Sequence, residues 1–216
     1  MRHKLSIPHP LKKTRKYIQS LVLFVFFLSL FVLPPNTVLA DQINHAQNVS
    51  IKNFGEVSQD IWRGAVPSDR ALEELAAQGI KTVIDLRFES PNRKHEEQTA
   101  THLGLKYVHL PIGFGKASCE QAISFLKVVS NPTNLPVFVH CHQGADRTGT
   151  LIGIYRIFVQ NWTFDQTYKE MRSYHFKPWL FGLKKSVSNV ADNELTRHAI
   201  KISLNDEINS MPNIKP

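Results

Sequence analysis

The sequence predicts a single α/β domain in which a central, mainly parallel sheet of about four to five strands is flanked by helices. Two features lead to this fold class. Short runs of β-branched and aromatic residues, of a length typical of buried strands, alternate with longer segments whose apolar residues recur at helical spacing. Glycine, proline, serine and asparagine separate these segments, and the sequence contains no internal repeat.

The predicted elements alternate along the chain. Strands are predicted over residues 81–87, 105–112 and 136–140. Helices are predicted over residues 68–78, 91–103, 118–130, 148–160, 163–174 and 179–190. Residues 118–121 and 163–166 have the spacing of capping boxes, which predicts where two of these helices begin. The polar side chains of the 91–103 helix are interpreted as a solvated face, among them His95, Glu96 and His102.

Positive charge is concentrated at the amino-terminal end. The formal net charge is +8, and the first 40 residues contain six basic and no acidic side chains. The remainder carries a charge of only +2. Because the domain is nearly neutral, its charge gives no support for nucleic-acid binding.

The first 40 residues have the organisation of a secretory signal peptide. A basic stretch precedes the largely apolar run 18–33, prolines follow, and Val38-Leu39-Ala40 provides small or modest residues before a cleavage site at Asp41. The alternative is an uncleaved anchor, although 16 residues are few against the ~20 of a spanning helix. Either way the sequence predicts export, to the periplasm or the medium. Residues 41–50 are interpreted as a linker, 51–190 as the domain and 191–216 as a polar tail.

The chain is organised around residues 137–149, where a predicted buried strand leads into a predicted buried helix. The connection contains Cys141, five further residues and Arg147. A loop from a strand end to a helix start directs its backbone N–H groups into one concavity, and the helix dipole adds positive potential there. The sequence therefore predicts an anion-binding loop.

The side chains of this loop suit phosphate chemistry. The N–H groups and the dipole favour the thiolate of Cys141. The planar guanidinium of Arg147 can bind two phosphate oxygens and stabilise a transition state. The hydroxyl of Thr148 can hydrogen-bond the sulfur, and Gly144 and Gly149 permit tight turns. The remaining loop residues are expected to line the substrate pocket through their amides: His142, Gln143 and Ala145.

The run His140-Cys141-x5-Arg147-Thr148 resembles the signature loop of the cysteine-dependent protein tyrosine and dual-specificity phosphatases, in their bacterial dual-specificity-like branch. The resemblance spans roughly residues 49–190. It implies a tyrosine-phosphatase-like fold, a phosphocysteine intermediate, and no metal or other cofactor. Residues 51–66 resemble the entry strands of the family, including an Arg-Gly-x-x-Pro segment at 63–67. The resemblance implies strands in this range and a role for Arg63 in supporting the site; a surface arginine is the open alternative.

One part of the family pattern is missing. Well-known members carry the general acid, an aspartate, in the loop before the helix that precedes the signature strand, and here residues 112–117 contain no carboxylate. Asp146 is the preferred substitute because it resembles an in-loop aspartate of myotubularin-like and Sac-type phosphatases. Its alternative is a pairing with a basic neighbour that only shapes the loop. Glu120 is second, although a helix's first turn stabilises the anion, and Asp85 is third.

Asp85 has a further possible role as a supporting residue. It lies at the carboxyl end of a predicted strand, where open α/β sheets bind ligands. It could orient Arg147 or a neighbouring loop. The alternative is a strand-end carboxylate that is satisfied locally.

His140 and His142 flank Cys141, which raises the possibility of a metal site. Adjacent strand residues point to opposite faces, and no second group stands at metal-ligand spacing, so this interpretation is not favoured. His140 is instead expected to hydrogen-bond the loop backbone and to support the thiolate. Cys119 is interpreted as a helix-start residue, and the alternative is a disulfide with Cys141 in an oxidising compartment.

These observations predict an exported cysteine-dependent phosphatase that acts on phosphomonoesters. Phosphotyrosine protein is the default substrate, and a phosphoinositide or inositol phosphate is the rival because of Asp146. Membrane contact is expected only through the amino-terminal segment. A phosphate-binding module without turnover is the alternative from another class. The missing acid favours it, but binding alone does not need the thiolate of Cys141.

Overall fold

The computed structural model of the protein describes residues 49–210. Its strands are β1 (Gly55–Ser58), β2 (Ile61–Gly64), β3 (Thr82–Asp85), β4 (Lys106–His109) and β5 (Val137–His140). They form one sheet in the order β1-β2-β5-β3-β4. β1 runs antiparallel to β2, and the other neighbours are parallel. The predicted fold class is confirmed.

Seven α-helices and one short 3₁₀-helix, Pro132–Asn134, are described in this part of the chain. The α-helices are α1 (Asp69–Ala77), α2 (Pro91–His102), α3 (Cys119–Ser130), α4 (Asp146–Phe158), α5 (Phe164–Ser173), α6 (Phe181–Asp192) and α7 (Glu194–Ser210). Four of them begin after a hydroxyl that accepts a first-turn backbone N–H, from Ser68, Ser90, Ser118 and Thr163. Both predicted capping boxes, at 118–121 and 163–166, are confirmed.

The sheet separates two apolar layers because successive strand side chains point to opposite faces. Phe138 of β5 packs in the layer that contains Leu72 and Leu75 of α1, whereas Val137 and Val139 pack in the other layer. Helices α1 and α2 cover the first face, and α3 to α7 cover the second. The two layers fix the strands and therefore the edge at which they end.

Three strands end side by side at that edge. Gly64 of β2 pairs with His140 of β5, and His140 pairs on its other side with Asp85 of β3. Ligands of open α/β sheets bind at the carboxyl ends of the strands. The Cys141 loop begins there.

Two boundaries differ from the prediction. Helix α4 starts at Asp146 rather than Thr148, so that Arg147 lies in its first turn. Strand β4 ends at His109, well before residue 112. Pro111 follows closely, and proline cannot donate to a strand ladder.

The interpretation of residues 191–216 as a polar tail does not fit the structure, which has α7 over most of that range. Ile200 is fully buried in the core, and α7 packs against α3 and α6. Leu195 and Ile202 are exposed, so the apolar residues do not form one stripe. Without such a stripe, the sequence gives no helical period to detect.

The predicted signal segment and nearly all of the predicted linker lie outside the described residues, as do residues 211–216. Within residues 49–210, no helix combines the length and apolar composition that crossing a membrane requires.

Candidate active site

Residues 141–145 connect β5 to α4 and form the predicted loop. Cys141 is buried, with 2 % of its surface exposed, and belongs to the apolar layer beneath the loop. Ala145 stands at the start of α4 and provides no side-chain cap. The first-turn N–H groups of α4 are therefore not satisfied by a capping side chain, which suits an anion-binding helix start.

Gly144 makes the loop fit against the neighbouring strand. Its φ is +67°, and a Cβ atom there would lie 2.4 Å from the carbonyl carbon of Gly64. Glycine is needed both for the left-handed backbone and for this close approach. The shape of the loop thus depends on the end of β2 as well as on its own residues.

The buried side chain of Arg63 contacts the loop and stabilises its backbone. Its Nη2 donates to the Gly144 carbonyl oxygen at 2.8 Å, and its guanidinium lies 3.9 Å from the centre of the Tyr174 ring. The side chain is fully buried, and burial lowers its pKa to about 10. The structure therefore excludes a surface arginine at this position.

Arg147 has no carboxylate partner among the described residues. Its Nη1 donates to the Leu86 carbonyl oxygen at 3.3 Å, and its buried Nε has no partner in that part of the chain. The guanidinium lies 4.9 Å from the centre of the Phe114 ring. A buried guanidinium with a free N–H is well suited to a phosphate oxygen.

The other predicted site residues differ in their placement. Thr148 is fully buried, and its hydroxyl has no hydrogen-bond partner among the described residues, so the expected bond to the sulfur is not observed. His142 and Gln143 are exposed on the rim. The Gln143 carbonyl oxygen accepts from Asn53 Nδ2 at 2.8 Å, and its Oε1 accepts from Lys52 at 2.9 Å.

A cleft of about 500 Å³ adjoins Arg147 and His142. The exposed rings of Phe88 and Phe114 line it, together with carboxylates and basic groups on α1, α2 and the segment after β3. Its carboxylates are Asp69, Glu89 and Glu96.

Asp146 is buried in the first turn of α4 and engaged by one basic residue. Its Oδ1 accepts the Lys177 backbone N–H at 2.9 Å, and its Oδ2 lies 3.6 Å from the Lys177 ammonium. This is the pairing with a basic neighbour that the sequence left open. Glu120 is exposed in the first turn of α3, and neither it nor Asp146 is among the residues that line the cleft.

The segment 112–117, where the family carries its acid, places Phe114 beside Arg147 instead. Its end is fixed by α6, because the Ala117 N–H donates to Ser186 Oγ at 2.8 Å. A Cβ atom at Gly182 of α6 would lie 2.6 Å from the Gly115 carbonyl carbon. The segment is thus in backbone contact with a helix.

Asp85 contacts Arg87 rather than Arg147. Arg87 donates Nε to Oδ1 and Nη2 to Oδ2 of Asp85, both at 2.9 Å, and Tyr107 donates to Oδ2 at 2.7 Å. Burial alone would raise the pKa of Asp85, but the bonds from Arg87 and Tyr107 and the nearby His140 lower it to about 2. The proposed orientation of Arg147 by Asp85 is therefore not observed.

Glu96 belongs to the same network, and its interpretation as part of a solvated face is wrong. It is 4 % exposed and accepts from Arg87 at 2.8 Å and from Tyr107 at 3.0 Å. His95 and His102 are exposed as predicted. Glu96 lies four residues before Ala100, so the two share a helix face, and this spacing was the available signal.

Ligand atoms of Asp85, Glu96 and His140 all lie within 4.8 Å of one another, a spacing at which such groups can bind a metal ion. Arg87 already binds both carboxylates through Nη2, at 2.9 and 2.8 Å. Its guanidinium supplies the positive charge that a cation would bring. We therefore assign the cluster as an ion-pair network.

The two cysteines are both free thiols. Cys119 is exposed at the start of α3, and Cys141 is buried. Burial and the charge of Glu120 raise the pKa of the Cys119 thiol. The structure contains no disulfide between them.

A mainly parallel sheet with a Cys-x5-Arg loop at its carboxyl edge defines the class of tyrosine and dual-specificity phosphatases. Residues 37–188 match the family described as DSP-PTPase phosphatase fused to NAD+ kinase. The chain belongs to this family. It is accordingly a phosphatase of the dual-specificity and tyrosine type, a phosphoric monoester hydrolase.

Individual relatives agree with this membership. The probable tyrosine-protein phosphatase DG1060 of Dictyostelium discoideum is 30% identical over 135 residues, which cover 60% of this chain and 80% of that protein. The inositol diphosphatase SIW14 of Saccharomyces cerevisiae is 27% identical over 171 residues, 74% of this chain and 59% of that protein.

Solved structures share the fold. The catalytic core of SIW14 in complex with citrate has a TM-score of 0.59 at 26% identity, and the match covers 71% of this chain and 94% of the SIW14 chain. Pseudomonas aeruginosa TpbA has a TM-score of 0.60 at 23% identity, and the match covers 70% of this chain and 92% of the TpbA chain.

Proposed function

We propose that this phosphatase hydrolyses the aryl phosphate of phosphotyrosine in proteins through a phosphocysteine intermediate. The observation that carries the proposal is that one loop connects the buried Cys141 to Arg147, which is buried in the first turn of α4 and has no carboxylate partner among the described residues. A phosphate bound by the loop would meet Cys141 on one side and the guanidinium of Arg147 on the other.

The reaction proceeds in two displacements. The Cys141 thiolate attacks phosphorus, the S–P bond forms, and the bond to the ester oxygen breaks with its electron pair on the leaving oxygen, which takes up a proton. Water then attacks the phosphocysteine, gives up a proton, and releases inorganic phosphate and the thiolate. Arg147 and the loop N–H groups stabilise the charge on the equatorial oxygens in both steps.

The choice of an aryl phosphate as substrate is based on the absence of a carboxylate from residues 112–117. A positioned general acid contributes typically 10²–10⁴-fold, and it matters most for poor leaving groups. A tyrosine phenol, with a pKa of about 10, leaves far more easily than an alkyl alcohol. The exposed Phe88 and Phe114 rings on the cleft also suit an aromatic leaving group.

An inositol diphosphate is the second candidate, and the same observation favours it. Its leaving group is a phosphate, whose second pKa of about 6 makes protonation by an acid unnecessary. The similarity to a protein named an inositol diphosphatase supports this candidate. A phosphoinositide monoester releases an alkyl alcohol, so it should be slower than either.

Turnover of the purified chain against four substrates tests the proposal: a phosphotyrosine peptide, the matched phosphoserine peptide, an inositol diphosphate and a phosphoinositide in vesicles. We expect kcat/KM for phosphotyrosine to exceed that for phosphoserine and the phosphoinositide by about 100-fold or more. Comparable rates on the alkyl esters would contradict the leaving-group argument. No turnover of any of the four would favour a phosphate-binding module.

The same substrates measured on Asp146→Asn decide the role of Asp146. Both carboxylate oxygens face Lys177, which favours a residue that shapes the loop. We therefore expect similar losses on aryl and alkyl phosphates, of about tenfold. A loss confined to the alkyl esters would instead identify Asp146 as the general acid. Asp165→Asn, in the first turn of α5, is the control.

We also propose that the chain is exported. The support is the basic stretch, the apolar run 18–33 and the small residues before Asp41. The mass of the protein recovered outside the cytoplasm is expected to correspond to a chain that starts at Asp41. An intact amino terminus in the membrane fraction would indicate an anchor, and retention of the intact chain in the cytoplasm would contradict export.

A further inference from the structure

The ring of His140, the residue before the candidate nucleophile, is surrounded by oxygen atoms. It is fully buried and stacks on Phe138 with ring centroids 5.7 Å apart. Its Nδ1 lies 3.4 Å from the Cys141 carbonyl oxygen and 3.9 Å from Asp85 Oδ1. Its Nε2 lies 2.9 Å from Glu96 Oε1. That contact lacks the alignment of a hydrogen bond, so it is mainly electrostatic.

These neighbours determine which form of the ring fits. A backbone carbonyl oxygen can only accept, so Nδ1 must carry its proton to bond it. With that proton in place, a neutral ring would present a bare Nε2 to the Glu96 carboxylate, which is unfavourable. A ring with protons on both nitrogens can donate from Nδ1 to the carbonyl oxygen and places a positive charge beside the Glu96 carboxylate.

The charges around the ring lead to the same form. Asp85 and Glu96 are two buried carboxylates that share one buried cation, Arg87. Tyr107 adds no charge, because burial and the two carboxylates raise the pKa of its hydroxyl. Charged groups that border the network include Arg93, 5.8 Å from the Tyr107 ring, and Glu89 with His109. Arg93 is already paired with Glu89 and Glu97. One more positive charge, on His140, makes the buried group of four neutral, as buried charges require.

We propose that Glu96, together with Asp85, is a positioning residue that holds His140 as an imidazolium directly behind Cys141. The buried positive charge then stabilises the thiolate from the core side, while the loop N–H groups stabilise it from the other side. The inference deepens the proposed function and rests on Cys141 as its nucleophile. It places part of the activation of the thiolate on α2, across the sheet edge from the signature loop.

The test measures how the alkylation rate of Cys141 by iodoacetamide depends on pH, in a Cys119→Ser background that leaves one reactive thiol. Glu96→Gln preserves shape and removes the charge. Its rate is expected to fall about tenfold near pH 6 and to change less than about twofold near pH 9, where even an ordinary cysteine thiol is largely ionised. The acid limb of kcat/KM should move to higher pH in parallel.

Two variants separate charge from packing. Glu97→Gln changes the next residue of α2, which is partly exposed and paired with Arg93, and it should leave the alkylation profile unchanged. Tyr107→Phe removes a hydrogen bond to both carboxylates but no charge, so it should also leave the profile in place. An equal loss at all pH values in Glu96→Gln, or no loss, would overturn the proposal.

A measurement on the unaltered protein keeps the test decisive if Glu96→Gln fails to fold. The ¹⁵N NMR signals of the His140 ring should show protons on both nitrogens at about pH 7, and a neutral ring would refute the proposal. Neither alkylation nor NMR depends on the substrate. A failure of the substrate panel and a failure of this inference can therefore be told apart.

Discussion

Replacement of Cys141 by serine is expected to lower turnover of every phosphomonoester by about 10⁴-fold or more. A serine hydroxyl is far less acidic than a cysteine thiol, so it is a much weaker nucleophile in the same position. Arg147 and the N–H groups of the loop remain in place, so binding of inorganic phosphate, measured by calorimetry, should be retained within about threefold.

Cys119→Ser is the matched control for this prediction. Cys119 is exposed at the start of α3, and the structure assigns it no part in the loop. Its replacement should leave turnover and phosphate binding unchanged. Substantial activity in Cys141→Ser would point to another nucleophile and would reject the phosphocysteine mechanism.

Gly144→Ala is expected to damage both stability and activity. The left-handed φ of +67° disfavours alanine, and the new Cβ would meet the backbone of Gly64 and Ala65 at 2.4–2.5 Å. Together, strain and displacement should lower the free energy of unfolding by about 3 kcal/mol. Because the loop must move away from β2, kcat/KM should fall by about 100-fold even where the protein stays folded. Denaturant titration and kinetics measure the two effects.

Gly104→Ala separates these causes. Gly104 follows α2 with a φ of +78°, and nothing lies within 4 Å of the place where its Cβ would stand. At Gly104 only the strain of the left-handed backbone applies, so the free energy of unfolding should fall by about 1 kcal/mol, without a change in kcat. Equal losses of stability in the two variants would show that the contact with Gly64 is unimportant.

The fold and the centre of the site could be predicted because their signals are local. The apolar run of β5, the capping serines and threonines, and the spacing of Cys141 and Arg147 each lie within about a dozen residues. Short-range patterns of this kind survive in a single sequence. The fold class was confirmed for the same reason.

The missed residues depend on pairings between distant parts of the chain. In the sequence, Glu96 is one of several charged residues on a polar helix. Its contacts with Arg87 and Tyr107 form only because β3 pairs with β4. The sequence left a basic partner for Asp146 open but could not identify it as Lys177, because the two residues are 31 positions apart. Buried ion pairs produce no periodic pattern, because a charged residue that is paired in the core cannot be distinguished in the sequence from one that is exposed to solvent.

The contact between Gly64 and Gly144 has a consequence for how this protein loses its activity. The shape of the loop at residues 141–145 depends on β2, including Arg63, which lies about 80 residues away in sequence. A short peptide carrying the signature run would not have that shape. We therefore expect catalytic competence to depend on the folded sheet and to be lost in the same unfolding transition as the native state.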